Sequence, residues 1–249
     1  MTSPVHAPRI VLRIPGPWES REALAQAIAA SNTDTALSGG ILRRHDRSAR
    51  AEFVEHEPDL RDAFAQTGRL FSETDLAAIA AHRSAVYLIG AGGSLEAGRE
   101  MMDFADALLR AGGLAVKVET SGVAHRAQDW LAQSARKETH TGALFIAYVA
   151  MVASRGAVYS CGMHNLGFPD AILSADLPPQ RAGQLLKDFL MYLLHEQPAL
   201  TDEHTFAVSG EPIRFQLRRE PRPLFAPDDL FHNPYGWWRL TPAALDSGF

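Results

Sequence analysis

Ser84-Ala85-Val86-Tyr87-Leu88-Ile89-Gly90-Ala91-Gly92-Gly93-Ser94 opens the stretch that decides the fold, and the same stretch runs on to His125. Its first six residues carry no charge, so they read as a central strand buried on both faces. The glycines of 90–93 then break the strand. From Ser94 the spacing turns helical. Gly98, Met101, Met102, Ala105, Leu108 and Leu109 share one face, and Arg99, Asp103, Asp106 and Arg110 take the other. Arg99/Asp103 and Asp106/Arg110 stand four apart, at pairing distance on a helix. Ser94 is a natural N-cap, and Gly112-Gly113 supplies the left-handed residue that ends such a helix. Leu114, Val116 and Val118 then oppose Ala115, Lys117 and Glu119 in a second strand. Together these pieces make a βαβ unit with neighbouring parallel strands.

Working outward, 249 residues are enough for one large domain or two small ones with a substantial core. A net charge of −5 and a pI near 6.0 argue against broad, charge-driven binding to nucleic acid or anionic lipid. Cys161 is the single cysteine, so an intrachain disulfide and a Cys-rich zinc site are both excluded. Met1 to Pro8 has no apolar core of signal-peptide length, and the longest apolar run, 143–153, is too short to cross a bilayer. These features are those of a cytoplasmic protein, and the Ala/Arg-rich usage is that of a bacterial one.

Before the central stretch, Arg9 to Ile14 alternates as a strand with one wetter face, and a helix spans about Ser20 to Ser31. Residues 41–45 and 50–55 read as a hairpin around Asp46-Arg47-Ser48. Pro58 opens a short helix that Gly68 stops, and Ser72-Glu73-Thr74-Asp75 has the form of a capping box. After His125 comes a short helix carrying Trp130. Residues 143–153 fit a buried helix or a buried strand equally by periodicity. The turn-like Ser154-Arg155-Gly156 and the strand-like 157–163 favour a strand in a hairpin. A strand at 170–174, a helix from about Gln180 to His195, strands at 204–208 and 213–218, and an edge strand at 236–240 complete the chain. The fold expected is α+β, a mixed sheet with a central βαβ unit plus antiparallel hairpins and helices mainly on one face. It forms a single compact unit over 1–249, or two similar lobes, 1–136 and 137–249.

Each site candidate has a plain structural alternative. Gly90-Ala91-Gly92-Gly93-Ser94-Leu95 precedes a helix as phosphate-binding turns do, with Glu119 in the place of a ribose-binding acid. The third glycine of the dinucleotide pattern falls on Leu95, however, and there is no Walker lysine. Gly92-Gly93-Ser94 resembles a nucleophile elbow, but Glu96 occupies the last glycine's place, and capping suits Ser94 better. The ten histidines show no compact metal-ligand spacing, so no metal and no cofactor are expected. Cys161 and His164 lie close in sequence, yet three residues along a strand puts them on opposite faces. Arg9, Arg13, Arg43, Arg214 and Arg218 offer a patch for an acidic partner, or cross-strand pairing with Glu52 and other acids. Tyr235, Trp237 and Trp238 offer an aromatic interaction surface, or a closing strand packed on the body.

Three stretches carry a family resemblance. Ala111-Gly112-Gly113-Leu114-Ala115-Val116-Lys117-Val118-Glu119-Thr120-Ser121-Gly122-Val123-Ala124-His125 with Trp130 is the first. Tyr159-Ser160-Cys161-Gly162-Met163-His164-Asn165-Leu166-Gly167-Phe168-Pro169-Asp170 is the second. The third is Tyr192-Leu193-Leu194 followed by 200–205, where the family leads one to expect glycine in place of Glu203. Together they resemble the bacterial domain-of-unknown-function family numbered 4261. The resemblance implies no reaction, ligand or catalytic residue, and an immunity-like role only by association with neighbouring toxins. Two functions follow as expectations. One is a non-enzymatic module that binds another protein or a second copy of itself, with neither nucleic acid nor membrane as partner. The other is a small-ligand or nucleotide-binding protein or enzyme, its cleft between the Gly90 and Glu119 turns lined by Ser94, Glu119, Ser121 and His125.

Overall fold

A computed structural model describes residues 8–31, 33–67, 71–154, 156–174, 177–210 and 213–243. The chain is α+β, built on two sheets. The first sheet contains β1 (Arg9–Gly16), β2 (Ala36–Ser38), β3 (Ile41–Arg44), β4 (Arg47–Glu55), β5 (Ser84–Ala91), β6 (Ala115–Val118) and β7 (Ala124–Arg126), in the order β2-β3-β4-β5-β1-β6-β7. The second contains β8 (Ala150–Ser154), β9 (Ala157–Cys161), β10 (Asp170–Ser174), β11 (Thr205–Ala207), β12 (Arg214–Arg219) and β13 (Trp237–Pro242), in the order β11-β12-β13-β10-β9-β8. Every ladder of the first sheet is antiparallel. The second is mixed, because β10 and β13 run parallel.

The central stretch folds as strand, helix and strand, but its two strands are not neighbours. β5 and β6 run in the same direction in one sheet, and β1 lies between them, antiparallel to both. Insertion of β1 satisfies both of its edges and buries Ile10, Leu12 and Ile14 completely against helix α4 (Leu95–Arg110). The opposite face of this sheet is covered at one end only, so Tyr87 and Ile89 of β5 are partly buried, not enclosed on both sides. Arg13 stacks over the Tyr87 ring at 4.9 Å and pairs with Glu119 at 3.0 Å, and Lys117 meets Glu119 at 2.9 Å. Arg50 and Glu52 pair on the same face at 3.0 Å. The charged residues of this face thus largely answer one another, as an antiparallel sheet with one solvated side requires.

Helix α1 (Arg21–Ala30), capped by Ser20, contributes Leu24 and Ile28 to the same core as α4. Helices α2 (Leu60–Ala65) and α3 (Glu73–Ala80) cover one end of the other face, over Ala85, Ala115 and Ala124. The Ser72/Asp75 capping box forms as expected, whereas the Gly68 stop lies outside the described residues. The β3–β4 hairpin turns at His45-Asp46, with Arg44 paired to Arg47, slightly ahead of its expected place.

After β7, α5 (Ala127–Ser134) and α6 (Thr141–Tyr148) lead into the second sheet. Residues 143–153 are therefore not one strand. Their first half is helix, and β8 begins at Ala150. Helix α6 is wedged among α4, α5 and α7 (Pro179–Glu196), so it is apolar nearly all round and shows no amphipathic period. Helix α7 packs Leu185, Leu186, Phe189, Leu190, Leu193 and Leu194 into the core. β13 is not an edge strand. It sits between β12 and β10, and this placement buries Trp237 and Trp238 to 1% exposure.

Candidate functional site

Two features decide where chemistry or binding can occur: the junction at the Gly90 end of the first sheet, and the connection 220–236 that crosses it. The expected cleft between the Gly90 and Glu119 turns is occupied. A 3-10 turn, Met163–Leu166, enters between them, and the Asn165 carbonyl accepts from the Gly93 amide at 3.0 Å. The Asn165 side-chain oxygen accepts from the Thr120 hydroxyl at 2.8 Å. One fully buried asparagine thus ties the two turns together from the space a ligand would need. Gly162 and Gly167, with φ of 115° and 89°, allow the turn to enter. A Cβ on Gly162 would meet the Tyr148 carbonyl at 2.2 Å and Ser121 Cβ at 2.7 Å, and one on Gly167 would meet the Gly93 carbonyl at 2.4 Å.

The four lining residues expected there do not converge on a shared opening. Ser94 is exposed, and its hydroxyl accepts from the Ala97 amide as the cap of α4. Glu119 is on the open face of the first sheet, held by Arg13 and Lys117. Ser121 is buried against Gly162, and His125 is buried with Nε2 3.0 Å from the Ala147 carbonyl and its ring edge-on to Trp130. The interaction surface also needs correction. Trp237 and Trp238 belong to the core, and of the three aromatic residues only Tyr235 reaches solvent, at 36% exposure.

Beneath that surface lies a buried polar group. The fully buried Asp170 accepts from the Ser160 hydroxyl at 2.7 Å, the Met163 amide at 3.3 Å and the Asn233 amide group at 2.7 Å. Asn233 also donates to the Phe168 carbonyl at 3.0 Å, and its oxygen accepts from the Tyr235 amide at 2.9 Å. His164 Nδ1 lies 4.0 Å from Asp170, too far for a hydrogen bond. Both ring nitrogens of His164 are buried and make no hydrogen bond among the described residues. The Cys161 thiol is pushed far up by burial, then by the charges of Asp170 and Asp229, so it stays protonated and inert. No hydrogen bond joins the thiol to His164 among the described residues. Among the described residues no group of three or more His, Cys, Asp or Glu is arranged to hold a metal ion.

This buried group anchors residues 220–236. The Tyr235 hydroxyl donates to the Gly93 carbonyl at 3.4 Å, and Phe231 lies against the Gly122 turn. Phe225 packs on Phe231 and Trp237, the Phe231 amide donates to Asp229 at 2.8 Å, and Arg219 donates to the Tyr235 carbonyl at 3.0 Å while stacking over Trp238 at 4.1 Å. Held in this way, the connection directs Leu224 and Leu230 outward at 45% and 51% exposure. Leu224, Leu230 and Tyr235 are three of the four large apolar residues exposed among the described residues. Sequence reasoning found Tyr235 but missed the two leucines, which sit among prolines and acids with no periodicity to mark them.

A hollow of about 280 Å3 lies between the end of α1 and the C-terminal half of α4, lined by Asp34, Arg44, Asp103, Asp106 and Arg110. Asp103 receives Arg44 at 2.9 Å and Lys137 at 3.0 Å. The Ser134 hydroxyl donates to Asp106 at 2.6 Å, and burial pushes the Asp106 carboxyl up to about 6 against that bond. The other Asp106 oxygen is occluded and unpartnered.

Comparison with known protein families, with characterised proteins and with solved structures returned no match.

Proposed function

We propose that this chain is a non-enzymatic binding module, and that its contact surface for a protein partner is the connection 220–236. One observation supports this above the others. Exposed large apolar side chains are concentrated at Leu224, Leu230 and Tyr235, on a connection locked from below by Asn233 and Asp170. Clustered exposed apolar residues favour association, and tyrosine is a frequent anchor. A pre-ordered segment loses little conformational entropy when it binds. The candidate catalytic groups point the same way, since the Ser94 hydroxyl caps a helix, the Cys161 thiol is protonated and the turns of the expected cleft are bridged by Asn165. The resemblance to family 4261 adds, by association alone, an immunity-like partner.

The test is affinity capture from native lysate with the intact chain and with the double variant Leu224→Asp/Leu230→Asp. Both positions are exposed, so the variant should keep the parent melting curve. The expected result is a specific protein retained by the parent and lost by the variant. A parent that retains nothing specific, or a partner that survives both substitutions, rejects the proposal.

A further inference from the structure

Four strands end the two sheets, and three of them, β2, β7 and β11, are three residues long. The fourth, β8, is five residues long and reads Ala150-Met151-Val152-Ala153-Ser154, without a charge or a proline. Edge strands are usually guarded by charge, proline, a bulge or a cover, because their free amides and carbonyls recruit another strand. β8 carries none of the guards that sequence supplies.

We infer that β8 pairs antiparallel with β8 of a second copy of this chain, about a two-fold axis at Val152, joining two six-stranded sheets into one. The register follows from the hairpin. Ser154 pairs with Ala157 at the turn, so the hydrogen-bonded positions toward β9 are Ser154, Val152 and Ala150. Met151 and Ala153 then direct their amides and carbonyls away from β9, and neither makes another backbone hydrogen bond among the described residues. Two outward-facing residues in antiparallel strands exchange both bonds. Placing Met151 opposite the second copy's Ala153, and the reverse, satisfies all four outward groups of each strand. That register sets Val152 against itself.

Side chains fit the same register. Met151 and Ala153 pair with Ser160 and Val158, and so face the α7 side of the sheet. An apolar hollow of about 190 Å3 opens there beside Ala153, lined further by Val158, Leu173, Leu177, Pro179 and Ala182. The second copy's Met151 stands next to Ala153 and enters that hollow, where its flexible thioether suits an irregular space. Symmetric pairing also sets like against like, and the strand has no charge to repel its copy. A charged partner would find nothing on the strand to read.

The intact chain should behave as a dimer by light scattering, at twice 27.2 kDa. Ala153 is exposed, so Ala153→Lys leaves the monomer folded, and it should weaken dimerisation by about tenfold or more, seen as dissociation on dilution. Val152→Cys gives the register directly. Opposed non-hydrogen-bonded positions lie about 4.5 Å apart at Cα, within disulfide range, so mild oxidation should link two chains. Ala150→Cys places its two thiols roughly 13 Å apart along the strands and should not link. A chain that stays monomeric at about 100 µM overturns the inference. So does a dimer insensitive to Ala153→Lys, or one that links through position 150 and not 152.

Discussion

Asp106 has one oxygen bonded to Ser134 and the other occluded without a partner. Its carboxyl titrates near 6 in the folded protein, above its ordinary value, because burial penalises the charge more than Ser134 relieves it. Between the ordinary value and 6 the folded chain therefore holds a proton that the unfolded chain has released. Stability falls as pH rises through that window, and the penalty is complete above it. Asp106→Asn keeps an acceptor for Ser134 and removes the charge. It should add about 1–2 kcal/mol at about pH 7.5 and about a third of that at about pH 4.5, as read from urea midpoints at the two pH values. At this scale the sequence was legible wherever a residue acts on its own neighbours. Ser94 and Ser72 are caps. The surroundings of His164 were not legible, since Asp170, 4.0 Å from its ring, belongs to a separate element, β10.

Among the elements, the connection 220–236 has Asn233 as its buried polar anchor. Asn233 closes it onto Asp170 through a buried contact and onto the Phe168 carbonyl through a partly buried one. Asn233→Ala leaves a buried carboxylate oxygen and a carbonyl short of a donor, at a cost of about 2–3 kcal/mol. Limited chymotrypsin digestion should then cut faster after Phe231 than in the parent, while cleavage elsewhere follows only the global loss of stability. Strand and helix positions were mostly evident from period and punctuation, as for α4, α7 and β12. Pairing was not. The alternation of Arg9 to Ile14 identifies a strand but cannot say that it divides β5 from β6. Trp237-Trp238 reads the same on an edge as in the middle of a sheet, and only the parallel ladder to β10 separates those cases. α6 was misread because a helix enclosed by helices loses the period that would reveal it.

Across the whole molecule, one hydrophobic core runs through both sheets. The Tyr148 hydroxyl donates to the Gly98 carbonyl at 2.7 Å, Tyr148 meets Trp130 edge-on, and Leu166 closes to 3.0 Å on the position a Cβ of Gly98 would take. Each half of the chain builds its own sheet. The seam between the halves is nonetheless filled by buried side chains of that one core. A chain severed between residues 136 and 137 should yield pieces that bind a hydrophobic dye and melt without cooperativity when apart. Mixed in equal amounts, they should regain the circular dichroism of the uncut protein. Cooperative melting of either piece alone would mark the halves as self-sufficient. Joined only by contact, such a pair is a natural sensor of proximity, because tryptophan shielding returns when two fused cargoes bring the pieces together.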